Sequence, residues 1–575
     1  MPIIIGTENG ETLTGGPGDD QIEGRGGNDV LVGAGGNDTT DGGNGNDQHF
    51  VDSAGDIVIE RPGEGDDEVI TGVSYGLGDG TWVETLRTDN AVSTLALSLL
   101  GNEIPNSIYG NAGNNVLNGG GGNDYLVGLE GNDYLIGGGG TDAMLGGTGN
   151  DTYTIDLAVG DHVSIQEGFL FVSATVVDIG DGQTITVSQP TSGGGSTTRT
   201  VQIGQVFSGD NVLESPGEGE DVVVASTSYI LRSGVSVELL AAAAGSAGVT
   251  LRGNELANSI YGNDGNNILS GGPGDDYIVG GAGNDTLDGE SGNDIMAGGT
   301  GNDTYTVTQA GDRVIETAGQ GFDRIDTGIS YTISQGVEVE VLAATPSTSG
   351  IALLAGNEFV QTIVGNDFGN RLSGGGGADT LNGQGGNDVY DISDGGETIV
   401  EGASGGTDTA YVSTNYTLNA GAQVETLSTY WQYGSGGYDI TGNAFAQTII
   451  GDFGSNMLDG KGGSDTLVGL GGADTFAFTT ALGAGNVDLV ADFSHGTDKI
   501  ALDDAVFSGI GGLGALNANA FVVGTAAGDA DDRIIYDAAT GNLYFDADGN
   551  GAGAQILFAN IGVGTALLAS DFQVI

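Results

Sequence analysis

The chain contains no cysteine. That absence excludes disulfide staples, thiolate zinc sites and cysteine nucleophiles together. Basic residues are almost as scarce: 12 Lys and Arg stand against 78 Asp and Glu, a formal net charge of −66. Nucleic acid and anionic membranes repel such a chain at long range, so neither is an expected partner. Proline is rare, and no stretch approaches the ~18 uninterrupted apolar residues of a membrane span, so membrane insertion is not expected. The opening MPIIIGTENG has no basic region and only a short apolar run. It does not read as a Sec leader, and the chain is expected to be soluble, staying in the cell or leaving by an unusual route.

Glycine fills the space those residues leave, at 114 of 575 positions. Usage near 7% is ordinary. With little proline and no G-X-Y period the chain is not collagen, and 38% hydrophobic residues are too many for a disordered linker. A compact fold of this charge repels itself unless cations neutralise it. The demand for cations is the first functional indication.

The glycines keep a nine-residue period. GGPGDDQIE (15–23), GRGGNDVLV, GAGGNDTTD and GGNGNDQHF run without a gap to 50. A second run covers 110–154 and a third 262–306, both ending in GGTGNDTYT; shorter runs occupy 365–391 and 451–477. In G-G-x-G-x-D the glycines permit positive φ and present carbonyls, and the aspartate adds a carboxylate. The x-U-x that follows reads as a three-residue strand with its middle residue (Ile22, Leu31, Leu126, Leu135, Ile278, Leu287, Leu381, Leu467) in a core. Oxygen ligands without nitrogen or sulfur suit calcium. Two units are expected to complete one turn, so that Asp20/Asp38, Asp29/Asp47, Asp124/Asp142, Asp133/Asp151, Asp276/Asp294 and Asp285/Asp303 pair.

These repeats resemble the RTX (repeats-in-toxin) family, whose G-G-x-G-x-D-x-U-x nonapeptide folds as a calcium-loaded parallel β-roll. The resemblance implies multiple Ca²⁺ ions on the sixth residues of the units: Asp20, Asp29, Asp38, Asp47, Asp124, Asp133, Asp142, Asp151, Asp276, Asp285, Asp294, Asp303, Asp379, Asp388, Asp465 and Asp474. Most runs open with a unit holding Asn at that position (Asn115, Asn267, Asn370, Asn456), after a GNE or GNA coil without the charge. Whether those amides bind metal is open on sequence alone.

Between the runs, versions of one segment (73–86, 227–240, 329–342, 414–427) alternate as strands and carry V-E-x-L or its variants. The expected architecture is all-β: an elongated parallel β-roll or β-solenoid in which calcium-binding coils alternate with metal-free β-coils, closed by a C-terminal β cap. The rolls fall at 1–50, 101–154, 253–306, 356–391 and 442–477, the metal-free coils at 51–100, 155–252, 307–355 and 392–441, and the cap at 478–575. An excess at 169–207 reads as a projecting hairpin, and Tyr430, Trp431, Tyr433 and Tyr438 crowd 428–439. The last hundred residues resemble the C-terminal domain of serralysin-type proteins, which implies a cap carrying an uncleaved type I secretion signal. DADGNG (546–551) starts like an EF-hand, but its twelfth position is Leu557, so at most an isolated cation loop remains.

No enzyme is expected. The three histidines, His49, His162 and His495, do not form HExxH, no nucleophile elbow precedes a helix, and arginines such as Arg87, Arg232 and Arg313 read as ion-pair partners. The sequence therefore reads as a protein of a Gram-negative bacterium, secreted to the extracellular space or cell surface, that folds on meeting calcium. Its expected partners are calcium, the type I secretion machinery, and copies of itself or a cell-surface glycan. The favoured role is structural (a surface layer, fibre or adhesin); the alternative is binding or modifying polysaccharide in the groove of the metal-free coils.

Overall fold

In the computed structural model each x-U-x triplet is a strand, because the alternation of a strand turns only its middle side chain inward. Ile22, Leu31, Leu126, Leu135, Ile278, Leu287, Leu381 and Leu467 are all fully buried. The structure describes residues 2–155, 211–215, 217, 219–346, 352–429 and 435–575, with the backbone of four strands between 165 and 202.

Pairing is parallel and skips one unit: Ile22 lies beside Thr40, Leu31 beside His49, and Leu126 beside Met144. Two units therefore make one turn, and alternate units enter separate sheets. The described residues form two units, 1–303 with 311–313, and 304–310 with 314–575. In the first, one sheet runs in order through Thr12–Thr14, Val30–Val32, Gln48–Val51, Glu68–Thr71, Thr85–Thr88, Ser107–Tyr109, Tyr125–Glu130, Ala143–Thr148 and Asn211–Leu213. It passes from one roll, through the coils of 51–100, into the next roll without changing partner rules. In the second unit, Thr304–Val307, Arg324–Thr327, Val341–Ala344, Thr362–Val364, Thr380–Asn382 and Thr398–Val400 repeat the pattern. The fold is all-β and solenoidal, and the helical elements among the described residues are two short turns, Ala518–Ala520 and Ala569–Asp571.

Strands in the denser rolls are longer than three residues. Val116–Gly121 and Tyr134–Gly139 each span six, because the glycines that open the next unit stay extended enough to pair, Gly120 with Gly138 and Gly121 with Gly139. In the shorter runs the strands are shorter, three residues at Arg371–Ser373 and Thr380–Asn382 and four at Val389–Ile392. The fourth glycine of a unit is held twice over. Gly36 has φ +147°, and a Cβ there would stand 2.6 Å from the carbonyl carbon of Gly18 in the turn below.

The solenoid closes over the long insertion. Ala143–Thr148 pairs with Asn211–Leu213, and Thr152–Ile155 with Val222–Ala225. Within the insertion, Thr184–Pro190 and Ser196–Gln202 pair antiparallel, and at its start Leu170–Val172 pairs antiparallel with Ile165–Glu167; its other residues lie outside those described. Tyr430, Trp431 and Tyr433 also lie outside them.

Past Phe478 the pairing changes character. Ile534–Asp537, Asn542–Phe545 and Ile556–Asn560 form an antiparallel meander, which joins the parallel ladder through Asp488–Val490. The final strand, Phe572–Val574, lies parallel to Lys499–Leu502. Phe478, Phe507, Phe545 and Phe558 meet edge to face with centroids 5.1–5.2 Å apart. This aromatic core covers what would otherwise be an open sheet end. Asp571 of the closing DFQVI is fully buried and receives the Leu568 N–H at 2.8 Å, with His495 Nδ1 2.7 Å away.

Leu99, fully buried between Tyr75 and Leu117 on adjacent strands, tests the packing of a coil without repeats. Leu99→Ala is expected to cost about 2–5 kcal/mol. Chemical unfolding in saturating calcium measures this; a loss below about 1 kcal/mol would contradict the packing described.

Candidate metal centres

All sixteen sequence-predicted aspartates are buried, none more than 3% exposed. Fifteen are held alike. One carboxylate oxygen, Oδ1, accepts the backbone N–H of the equivalent residue one turn earlier: Asp38 from Asp20 at 2.7 Å, Asp47 from Asp29 at 2.6 Å, Asp142 from Asp124 at 2.7 Å, Asp294 from Asp276 at 2.8 Å. Asp388 and Asp474 take the N–H of Asn370 and Asn456 in the same way, at 2.7 and 2.9 Å. Asp20 differs, accepting from Gly16 in its own unit. The expected pairing of units i and i+2 is therefore made through a backbone amide.

The second oxygen has no such use. Oδ2 of Asp29, Asp38, Asp124, Asp133, Asp276, Asp285, Asp294, Asp379 and Asp465 is buried and accepts no hydrogen bond. It faces the first glycine of its own unit. A Cβ on Gly24 would stand 2.4 Å from Asp29 Oδ2 and 2.6 Å from the carbonyl oxygen of Gly42; on Gly128 the same contacts are 2.1 Å to Asp133 Oδ2 and 2.6 Å to Gly146 O. Lack of space, not φ, keeps glycine here. Carboxylate and carbonyl oxygens thus converge with no donor between them, a set that fits a hard cation such as Ca²⁺. Burial is the main force lifting these carboxyls, to about 7 for Asp124 and Asp133 and about 6 for Asp276 and Asp285, with the next carboxylate adding repulsion.

The amide units are built differently. Asn115, Asn267 and Asn370 turn their Oδ1 back onto an N–H four residues earlier, at Asn111, Asn263 and Asn366, 2.7–2.8 Å away. Their NH₂ groups supply what carboxylates lack: Asn267 Nδ2 donates to Gly265 O at 2.6 Å, and Asn258 Nδ2 to Val237 O at 2.8 Å. Gln361 and Gln447 repeat the device, donating to Asn357 and Asn443. An amide satisfies itself with its own two donors, so these turns close without a charge.

Acids that the nonapeptide frame does not contain gather where a roll meets the next coil. Asp47, Glu60 and Asp67 bring carboxylate oxygens within 4.8 Å of one another, and so do Asp151, Glu214 and Asp221, and Asp388, Glu401 and Asp408; every one is buried. Two like charges at that distance repel by on the order of 3 kcal/mol at an effective dielectric constant of about 20. Burial first, and the neighbouring acids second, push Glu60 up to about 8 and Asp67 to about 7. His49, fully buried, is held near 4 by desolvation and is neutral. Its Nδ1 lies 2.7 Å from Thr40 Oγ1 and its Nε2 2.8 Å from Glu60 Oε1, so with Glu60 ionised the imidazole donates to it.

These acids sit in coils expected to be metal-free, and the expectation overlooked them. The signal was present: PGEGDD at 62–67 and PGEGED at 216–221 each place an aspartate seven residues after a glutamate. The V-E-x-L glutamates join the same ladder, Glu84 accepting from Asp67 N–H at 2.8 Å and Glu425 from Asp408 N–H at 2.7 Å. Arginines serve as ion-pair partners: Arg87 with Glu68, Arg252 with Glu290, Arg371 with Asp391. At 546–551, Asp548 turns back to Gly553 N–H, and no group of three acids forms there among the described residues.

The family model for the RTX calcium-binding nonapeptide repeat matches residues 5–40, 14–48, 100–133, 119–153, 246–278, 270–305, 356–395 and 441–476. The chain carries RTX calcium-binding repeats. All sixteen aspartates of the ladder lie inside the matched RTX spans, whereas Glu60, Asp67, Glu214, Asp221, Glu401 and Asp408 lie outside them. A search of the curated proteins finds no match to the chain. RTX repeats are typical of secreted calcium-binding proteins, and no helix among the described residues is long and apolar enough to cross a membrane.

The raised carboxyls fix a pH dependence for the calcium-free RTX chain. A carboxyl whose pKa folding raises binds more protons folded than unfolded, so its stabilising share is present near and below about pH 4 and lost as pH rises through its folded value. For Asp124, Asp133, Asp276 and Asp285 that loss falls around pH 6–7. In chelator, the β signal in circular dichroism is expected to grow as pH is lowered from about 8 to about 5 and to fade on return. A signal flat across that window would contradict the burial of these groups.

Proposed function

We propose that this is a secreted, non-enzymatic calcium-binding protein that folds on export and serves as a structural component of a cell surface or matrix, as a surface-layer subunit, fibre or adhesin. The observation that carries the reading is the ladder of buried carboxylates, each with one oxygen tied to the preceding turn, which extends through both units. Without cations the ladder opposes compaction. With them it becomes the spine of the fold.

Extracellular calcium modules have Kd of about 10⁻⁴–10⁻³ M. Binding at ten times Kd stabilises the folded state by about 1.4 kcal/mol per site. Coupled along a solenoid whose turns touch only their neighbours, such increments sum to a folding switch. In calcium-poor cytoplasm the chain stays unfolded and threadable for the type I secretion machinery; outside, it folds. The remaining length is scaffold, which supports assembly with copies of itself as its role.

A second reading is favoured by one observation. A groove of about 490 Å³ is lined by Tyr411, Ser428, Ile450, Phe453 and Leu470. Phe453 is 60% exposed, an open apolar ring beside hydroxyl groups. Such a surface suits stacking against a sugar ring, and a glycan is the partner this alternative names.

Calcium titration of the purified chain, followed by circular dichroism together with light scattering and negative-stain microscopy, separates the readings. The expected result is a coil-to-β transition followed by sheets or filaments. The same transition ending in a monomer that binds glycans would overturn the assembly role and favour the groove.

A further inference from the structure

We propose that the last aspartate of a roll and two acids of the coil behind it form a second kind of calcium site, with three carboxylates instead of one per turn, which fastens roll to coil. The proposal rests on the calcium-dependent fold argued above and assigns to it ligands outside the nonapeptide repeats.

The first junction shows the construction. Asp47, Glu60 and Asp67 are 1%, 2% and 2% exposed, and each has one oxygen already committed. Asp47 Oδ1 takes the Asp29 N–H at 2.6 Å, Asp67 Oδ1 takes the Asp47 N–H at 2.8 Å, and Glu60 Oε1 takes the Gly42 N–H at 3.0 Å. The other oxygens, Asp47 Oδ2, Glu60 Oε2 and Asp67 Oδ2, are buried and accept nothing. Carboxylate oxygens of the three residues lie within 4.8 Å of one another, and the three unpartnered ones have no protein donor. One cation in the cluster would neutralise all three.

The fourth roll ends in the same way. Asp388 and Asp408 commit Oδ1 to backbone N–H groups at 2.7 Å and leave Oδ2 buried and unpartnered. Glu401 differs from Glu60: its Oε2 accepts the Tyr390 hydroxyl and its Oε1 the Gly402 N–H at 3.0 Å, so a cation there shares an oxygen with a donor. Asp151, Glu214 and Asp221 gather likewise, with Tyr153 donating to Glu214. At the first junction His49 takes the place of the tyrosine, so these three residues are positioning residues: they aim the glutamate and offer the ion nothing. Oxygen-only ligation of three formal charges selects a hard divalent ion, calcium, over zinc or copper.

The test uses the full chain refolded in calcium, dialysed to equilibrium, with bound calcium counted by mass spectrometry and folding followed by circular dichroism. Glu60→Gln and Glu401→Gln are each expected to remove one ion per chain, and the double variant two. An unchanged count in a folded Glu401→Gln chain overturns the junction site alone, leaving calcium-dependent folding in place. A wild-type chain that gains no β signal with calcium overturns both. If Glu401→Gln does not fold, Tyr390→Phe reads the same site with all three carboxylates kept. One ion is then expected to bind about 10–100-fold more weakly at full stoichiometry; affinities identical to wild type overturn the assignment.

Discussion

Everything in this molecule depends on carboxylates whose burial requires that their charge be neutralised. Every repeat aspartate but Asp20 spends one oxygen on the amide of the turn before it, and the second oxygen then lies against the first glycine of its own unit. The glycine period follows from this. The first glycine leaves room for the carboxylate, and the fourth lets the backbone pass over the turn below. The apolar triplet supplies the inner wall. Burial of Ile22 or Leu126 is worth about 1.5–3 kcal/mol each, a sum in which a row of uncompensated charges is a comparable opposing quantity.

The same backbone accommodates a neutral turn by exchanging one functional group. An aspartate leaves an oxygen that needs a cation, whereas an asparagine or glutamine brings two N–H donors and closes on its own carbonyls, as Asn267 does on Gly265. A run therefore opens on amides and proceeds to acids, and the strand register is the same in both: Leu117 pairs with Leu135, and Ile260 with Ile278. Charge along the solenoid is written independently of its backbone.

That independence explains what the sequence makes legible. The nine-residue period, the U position and the sixth-position acid all lie in one frame, so two units per turn and the inward U side chain are legible in the spacing. The parallel roll, with Asp20 to Asp474 as its acids, is legible in the resemblance to RTX repeats that the spacing carries. Glu60 and Asp67 escape the frame. Asp67 answers Asp47 across 20 residues where the repeats use 18, and Asp221 answers Asp151 across 70. The strands on either side keep parallel register, Gln48 with Glu68 and Thr152 with Val222. A spacing rule loses these partners, and only three-dimensional pairing recovers them. Strands in the denser rolls also outrun the x-U-x triplet, because glycines of low strand propensity pair with each other one turn on, Gly120 with Gly138.

The ladder also accounts for the place of the C-terminal region. Its last rungs are not supplied by repeats. Asp465 N–H donates to Asp488 Oδ1 and Asp474 N–H to Asp498 Oδ1, both at 3.0 Å, and these acceptors stand in the strands and turns that lead into the aromatic cap. Burial first, and repulsion from the Asp488 carboxylate after it, holds the Asp465 carboxyl up near 8. The final roll therefore ends on acids of the cap, as the first and fourth rolls end on acids of the coils that follow them. Cap and coil do the same electrostatic work on different folds: each gives the last amides of a roll a carboxylate to bind, and each buries the result under apolar side chains, Phe476 and Phe478 here, Val69 and Leu86 behind the first roll. The last amides of a roll are thus completed by carboxylates of the segment that follows it, whether coil or cap.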